Sequence, residues 1–340
     1  METNTSHRTT AALRIAGAIG VALIVALGGY LLLEATQPDT GLVSFSFLLI
    51  LPAGLSAFAA YVSDPMATRP YRHYLWMPSY LLLATIVLSL VVLREGVICV
   101  LLLTPLWLLS GWAGAAIAYR MRRRGEPGNR LHSAALLVIP LLAMQVEPAI
   151  PLPTDHATVE RSIVIAASPE TLWPLLRGVP DVRPGEGKWN LSQDLFGIPR
   201  PIGATLSHDG IGGDRYGVWE HGIRFRERIV EWEPGRRIGW TFLFDDMKGW
   251  DFTDRHLHPD SPYFQVTTGG YRMKPLGDGR TLLTVHTSYR IATPVNAYAR
   301  MWGELFLGDL ENNLLAIIRQ RAEHPLDSGA ASGYRPGHAL

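Results

Sequence analysis

The sequence predicts two unlike parts: an amino-terminal bundle of transmembrane α-helices, and a carboxyl-terminal α+β domain in which a curved antiparallel sheet packs around one long helix. Three observations predict this. Residues 11–146 contain apolar runs near the ~20 residues that cross a bilayer. Residues 204–291 alternate apolar and polar side chains with period two between glycine-bearing turns. Residues 294–323 repeat apolar side chains three or four apart, the period of an amphipathic helix.

At 340 residues the chain has room for two domains. Lys and Arg number 31 against 30 Asp and Glu, and a net charge of +1 gives no support for a nucleic-acid partner. Arg outnumbers Lys 28 to 3, the usage expected of a GC-rich bacterial genome. The one cysteine, Cys99, lies inside an apolar run, so no intrachain disulfide forms and no thiolate metal cage exists.

The membrane part, residues 1–146, is read as spans at about 11–33, 43–62, 75–92 and 97–118, with a shorter fifth run at 131–146 interrupted by Pro140. The first run is too long for a signal peptide and lacks a small-residue cleavage site before a soluble segment. Arg8, Arg14, Arg69, Arg72, Arg120, Arg122, Arg123, Arg124 and Arg130 fall on one side of these spans, against Arg94 on the other. By the positive-inside rule the amino terminus is cytoplasmic. Residues 131–146 either cross, leaving the rest of the chain outside the cytoplasm, or lie at the interface. Crossing is the expectation, in a multi-pass protein of the bacterial inner membrane. The spans carry Ser and Thr but no central Asp, Glu or Lys, which favours an anchor bundle over a transport path.

Residues 147–157 are spaced by prolines and read as an extended tether. The folded domain is placed at 158–323. A strand at 159–166 leads to Ser168, a helix cap, and Pro169, at the first helical position, with Leu172, Trp173, Leu175 and Leu176 as the apolar face. That helix fades at Gly178 and Pro180. Residues 181–200 are loop-rich, with Trp189, Leu195 and Phe196 as local anchors. Strands follow at 204–208, 215–221, 223–232, 237–244, 264–273 and 281–291, joined at 209–213, 233–235 and 276–279 by residues suited to positive φ. The closing helix, 294–323, carries Tyr298, Trp302, Phe306, Leu310, Leu314 and Ile317 on one face. Thr293 can cap it and Pro325 ends it. Residues 324–340 are expected to be disordered.

Three stretches carry a family resemblance. They are Ile163-Val-Ile-Ala-Ala-Ser-Pro-Glu-Thr-Leu-Trp173, then Ile229-Val-Glu-Trp-Glu-Pro-Gly-Arg-Arg-Ile-Gly-Trp240, then Tyr271-Arg-Met-Lys-Pro-Leu-Gly-Asp-Gly-Arg-Thr-Leu-Leu-Thr-Val285, with the final helix completing the set. Over about residues 157–323 the sequence resembles the START-like (SRPBCC) superfamily of polyketide cyclase/dehydrase and lipid-transport proteins. The resemblance implies a helix-grip fold with an apolar cavity between sheet and helix. No such resemblance covers the membrane part.

The candidate site residues follow from strand alternation. In 223–232 one face holds Ile223, Phe225, Glu227 and Ile229, and the other holds Arg224, Arg226, Arg228, Val230 and Trp232. Three arginines mark the wet side, so Glu227 points inward and needs a cation; Arg215 on the neighbouring strand is the expected partner. The pair is either a ligand-orienting or acid/base device or a structural salt bridge. Trp240, Phe242, Trp302 and Phe306 are expected to supply the apolar grip, and Tyr271 is a further ligand-binding residue that could serve, like Glu227, Arg215 or a histidine, as acid/base. Asp309 and Asn313 interrupt the apolar rows of the long helix, and either meet a ligand's polar end or face solvent. His256 and His258, among Asp254 and Asp260, fall short of a metal set, so neither metal nor cofactor is expected. No nucleophile elbow occurs. These residues point to a membrane-tethered domain holding a lipid or other hydrophobic small molecule for transfer or sensing. The alternatives are a cyclase- or dehydratase-type enzyme using the same interior, or a signalling membrane protein with a protein partner.

Overall fold

The computed structural model describes residues 2–37, 41–93, 96–124, 130–147, 150–245, 249–250 and 258–324. The chain divides into two compact units: residues 1–155 with 251–265 and 290–302, and residues 156–250 with 266–289 and 303–340.

The first unit is built from α1 (Glu2–Thr36), α2 (Leu51–Ser63), α3 (Tyr71–Leu88), α4 (Val97–Arg124) and α5 (Arg130–Val146). Among the described residues, four stretches are long and apolar enough to cross a membrane: Ala12–Thr36, Ser46–Ser63, Tyr71–Leu93 and Val97–Arg124. The helix α5 is shorter, 17 residues. The central α2 is the most enclosed, because small residues let its neighbours approach backbone to backbone. A Cβ on Gly111 would stand 2.7 Å from Ser56 Oγ, and Gly114 lies against the Ala53 carbonyl. Two charges that read as loop residues are buried instead. The Arg122 guanidinium donates to the Tyr61 carbonyl and lies over the Tyr61 ring, 3.4 Å from its centroid. The Asp64 carboxylate accepts from the Thr68 and Arg69 amides and the Tyr74 hydroxyl.

The second unit holds most of an antiparallel sheet and of the helix it grips, while residues 154–155, 264–265 and 290–302 of this part of the chain belong to the first unit. The strands of the sheet are β1 (Thr154–Ile165), β2 (Pro201–Leu206), β3 (Asp214–Trp219), β4 (Arg224–Glu233), β5 (Arg237–Leu243), β6 (Phe264–Gly277) and β7 (Arg280–Ala292). They lie in the order β1-β7-β6-β5-β4-β3-β2. The helix α6 (Pro169–Arg177) follows β1, and α7 (Asn296–Glu323) closes the domain. The sheet is curved and the fold is the helix grip. Its core joins Leu172 and Leu176 of α6, Ile229, Ile238, Trp240, Tyr271, Leu283 and Val285 of the sheet, and Leu315, Ile317 and Ile318 of α7.

Several sequence boundaries move. β1 starts at Thr154, inside the expected tether, since the first residue past Pro153 can donate to a ladder. β3 stops at Trp219, because His221 (φ 59°) and Gly222 (φ 78°) make a turn. The helix α7 starts at Asn296, with the Thr293 hydroxyl accepting from the Val295 amide ahead of it. The hairpin between β6 and β7 turns on Asp278 (φ 50°) and Gly279 (φ 78°), both in the left-handed region of a two-residue turn.

The apolar stripe of α7 is rotated from its expected position. Tyr298, Trp302, Phe306, Leu310 and Leu314 are only half-buried, whereas Gly303, Gly308, Glu311, Leu315 and Ile318 are buried. Two glycines set this rotation. A Cβ on Gly303 would meet the Tyr289 ring at 2.8 Å, and one on Gly308 would meet the Arg161 guanidinium carbon at 2.8 Å. The helix therefore lays its small-residue row against the sheet.

Candidate functional site

The site begins with the pairing of β3 and β4. Their register sets Arg215 opposite Glu227. Because side chains alternate, Phe225, Glu227 and Ile229 all point into the domain. Arg226 and Arg228 point outward, where they pair with Asp214 and Asp245. The expected alternation holds from Arg224 to Ile229; beyond the bulge after Ile229, Trp232, expected on the outer face, packs against the core and Trp173.

Arg215 and Glu227 are 5% and 4% exposed, and an Arg215 Nη1 donates to Glu227 Oε2 in a short contact. Burial pushes the Glu227 carboxyl up, while the Arg215 guanidinium beside it pulls back toward the charged form. Arg215 is itself held more firmly protonated by Glu227 and Tyr271.

The pairing of β4 with β5 sets Phe242 opposite Glu227 and Trp240 opposite Ile229, with a bulge between Ile229 and Glu231. On β6, Gly269 stands opposite Trp240 and Tyr271 opposite Ile238. Gly269 makes room for the indole, since a Cβ there would lie 2.9 Å from Trp240 Nε1 and 3.0 Å from Phe242 Cε2. Tyr271 then meets Trp240 edge to face at 5.4 Å, and the Arg215 guanidinium lies 5.2 Å from the Trp240 ring centroid. Burial pushes the Tyr271 hydroxyl up to about 12, with Arg215 opposing. The aromatic wall continues through Phe242 to Phe225 and Phe244, then to Trp219 and Trp250.

So five nominated residues, Arg215, Glu227, Trp240, Phe242 and Tyr271, come together on the inner face of the sheet. Phe306 packs on Phe196 at 6.3 Å. Trp302 belongs to the first unit, where it meets Tyr298 at 6.2 Å. Asp309 and Asn313 secure the loop before β2. The Asp309 carboxylate accepts from the Ser192 amide and hydroxyl, and Asn313 Oδ1 accepts from the Lys188 amide. Gln320 exchanges two hydrogen bonds with Gly187, whose φ of 91° and tight fit against Asn313 suit glycine alone. His256 and Asp254 lie outside the described residues, and Asp260 forms a bridge with Gln265.

One residue escaped sequence reasoning. Glu311 of α7 is 2% exposed, and the Thr287 hydroxyl lies beside its carboxyl without hydrogen-bond geometry to either oxygen. Burial pushes its carboxyl up to about 8, with the Thr287 hydroxyl and Arg161 opposing. Arg215 Nε and Trp240 Nε1 are likewise buried without a partner among the described residues. The signal was present in the row Gly308, Glu311, Leu315, Ile318, in which a glycine marks the close approach to the sheet.

Residues 156–323 match the family described as polyketide cyclase/dehydrase and lipid transport. No curated protein matches the sequence. Solved structures similar to this chain include the Zhui aromatase/cyclase from Streptomyces sp. R1128, at 16% identity over 50% of this chain and 94% of that one, with a TM-score of 0.32. Truncated norcoclaurine synthase from Thalictrum flavum is similar at 15% identity over 51% of this chain and 98% of that one, also with a TM-score of 0.32. Values this low carry no weight beside the family match and the topology. By those two, residues 156–323 form a START-like (SRPBCC) domain of the polyketide cyclase/dehydrase and lipid-transport family.

Proposed function

We propose that this is a membrane-tethered START-like domain that takes a lipid or other hydrophobic small molecule into its interior, for transfer or sensing. One observation carries the reading: a buried Arg215–Glu227 pair, with Tyr271 beside it, is set into an otherwise aromatic and aliphatic inner face. A pocket that is mostly apolar with a few convergent polar groups is the usual form of a small-molecule site. The four apolar stretches supply the membrane tether. The positive-inside pattern favours a cytoplasmic amino terminus, and a crossing by 131–146 would put the domain on the far side.

The test uses the full chain in lipid nanodiscs and the neutral fluorescent probe N-phenyl-1-naphthylamine. Saturable binding of about one probe per chain, above that of empty discs, is expected. Uptake no greater than that of empty discs would overturn the reading. A second reading, acid/base catalysis in the same interior, is favoured by Tyr271 lying beside Arg215 and Glu227. Under it, Glu227→Gln would fold yet lose turnover.

A further inference from the structure

Arg215 Nε on β3 and Trp240 Nε1 on β5 are buried without hydrogen-bond partners among the described residues, and neither oxygen of Glu311 on α7 is in hydrogen-bond geometry with the Thr287 hydroxyl beside it. Buried polar atoms are paired in the great majority of cases, so these exceptions point to a ligand that completes them. Tyr271 stands in electrostatic reach of Arg215, Glu227 and Glu311 alike.

The charges decide what kind of ligand fits. Glu227 already neutralises Arg215, so this arginine is no spare cation for an anionic head group. Glu311 adds a second carboxyl with no ion-pair partner in the interior. A phosphate or carboxylate brought here would meet a compensated arginine and an acid, at a heavy desolvation cost. An uncharged oxygen would not. It can accept from the indole or guanidinium N–H and from the carboxyl of Glu311.

We propose that Glu311, with Thr287 and Tyr271, forms a neutral hydrogen-bonding subsite that holds a carbonyl or hydroxyl oxygen of an otherwise apolar ligand and disfavours anionic lipids. The proposal rests on the binding reading above and names the class of ligand. Glu311 is surrounded by Thr287 on β7, Tyr271 on β6, Glu160 and Arg161 on β1, and Glu304 on its own helix. Arg161 is drawn outward to Glu304, at 2.8 Å. Tyr271 stays neutral across the range in which Glu311 titrates.

The test displaces bound N-phenyl-1-naphthylamine from the full chain in nanodiscs with 2-undecanone, which only accepts hydrogen bonds, and with decyl sulfate, a permanent anion. At pH 6.5 the ketone is expected to displace the probe at a concentration at least tenfold below that of the sulfate. Its potency should fall about tenfold between pH 6.5 and 9.5, as Glu311 loses the proton it donates. Glu311→Gln keeps an N–H donor and should make ketone binding independent of pH. Glu311→Leu should weaken the ketone at pH 6.5. Equal potency of ketone and sulfate, or a pH response that survives Glu311→Gln, would overturn the subsite. If the naphthylamine itself fails to bind, the binding reading falls instead. The wild-type pH series decides the matter even if Glu311→Leu does not fold.

Discussion

Arg215 and Glu227 are bound to each other in the domain's interior, and each is costly without the other. Removing one partner leaves a buried charge uncompensated, which costs about 3–5 kcal/mol, whereas replacing both with apolar residues is far milder. Glu227→Leu should therefore lower stability sharply, and Arg215→Met with Glu227→Leu should restore much of it in thermal denaturation of the full chain. A double variant as unstable as the single would show that the pair is not isolated from other charges. Glu311 gives a prediction of opposite sign. Its folded-state pKa of about 8 lies above its ordinary 4.5, so the native state keeps a proton that the unfolded chain has lost. Its stabilising contribution is whole below about pH 4.5, declines as pH rises, and is gone past about pH 8. Glu311→Gln should flatten this dependence and raise the apparent Tm at pH 8 by roughly 3 °C or more. An unchanged slope would mean that the carboxyl is ionised at neutral pH. Sequence reasoning found Glu227 because strand alternation is strict and three arginines fixed the outer face. It missed Glu311 because a helix stripe drawn through aromatics ignored the glycines that set which row is buried.

At the scale of elements, the sheet was legible and the helix partly so. Period two and turn glycines located every strand from β2 to β7 to within a few residues. The bulge at β4, and the extension of β1 past the last proline of the tether, depend on pairing that a single strand does not record. In α7 the polar interruptions Asp309 and Asn313 were read as solvent-facing or ligand-facing. They instead fasten residues 187–192 to the helix, a long-range partnership invisible in local periodicity. Asp309→Ala with Asn313→Ala should leave the domain folded but speed tryptic cleavage after Lys188 by about tenfold, because the loop then opens locally. Unchanged cleavage would place the loop's stability elsewhere. Gly303→Ala should push α7 from Tyr289 and cost roughly 1–3 kcal/mol, read as a lower Tm.

Across the whole molecule, the four longest apolar runs foretold the four stretches, among the described residues, that are long and apolar enough to cross a membrane. Arginine placement proposes an orientation that the fold does not determine. A reporter active only outside the cytoplasm, fused after Leu340, should give signal if residues 131–146 cross, and a cytoplasm-only reporter should stay silent. The central claim concerns the interior of residues 156–323. Native mass spectrometry of the full chain, released from nanodiscs made from the membranes in which it was expressed, tests that claim most directly. The account predicts a one-to-one adduct with an uncharged, largely apolar molecule that survives removal of the surrounding lipid. A spectrum of bare chain alone, or adducts that scale with bulk phospholipid, would contradict it.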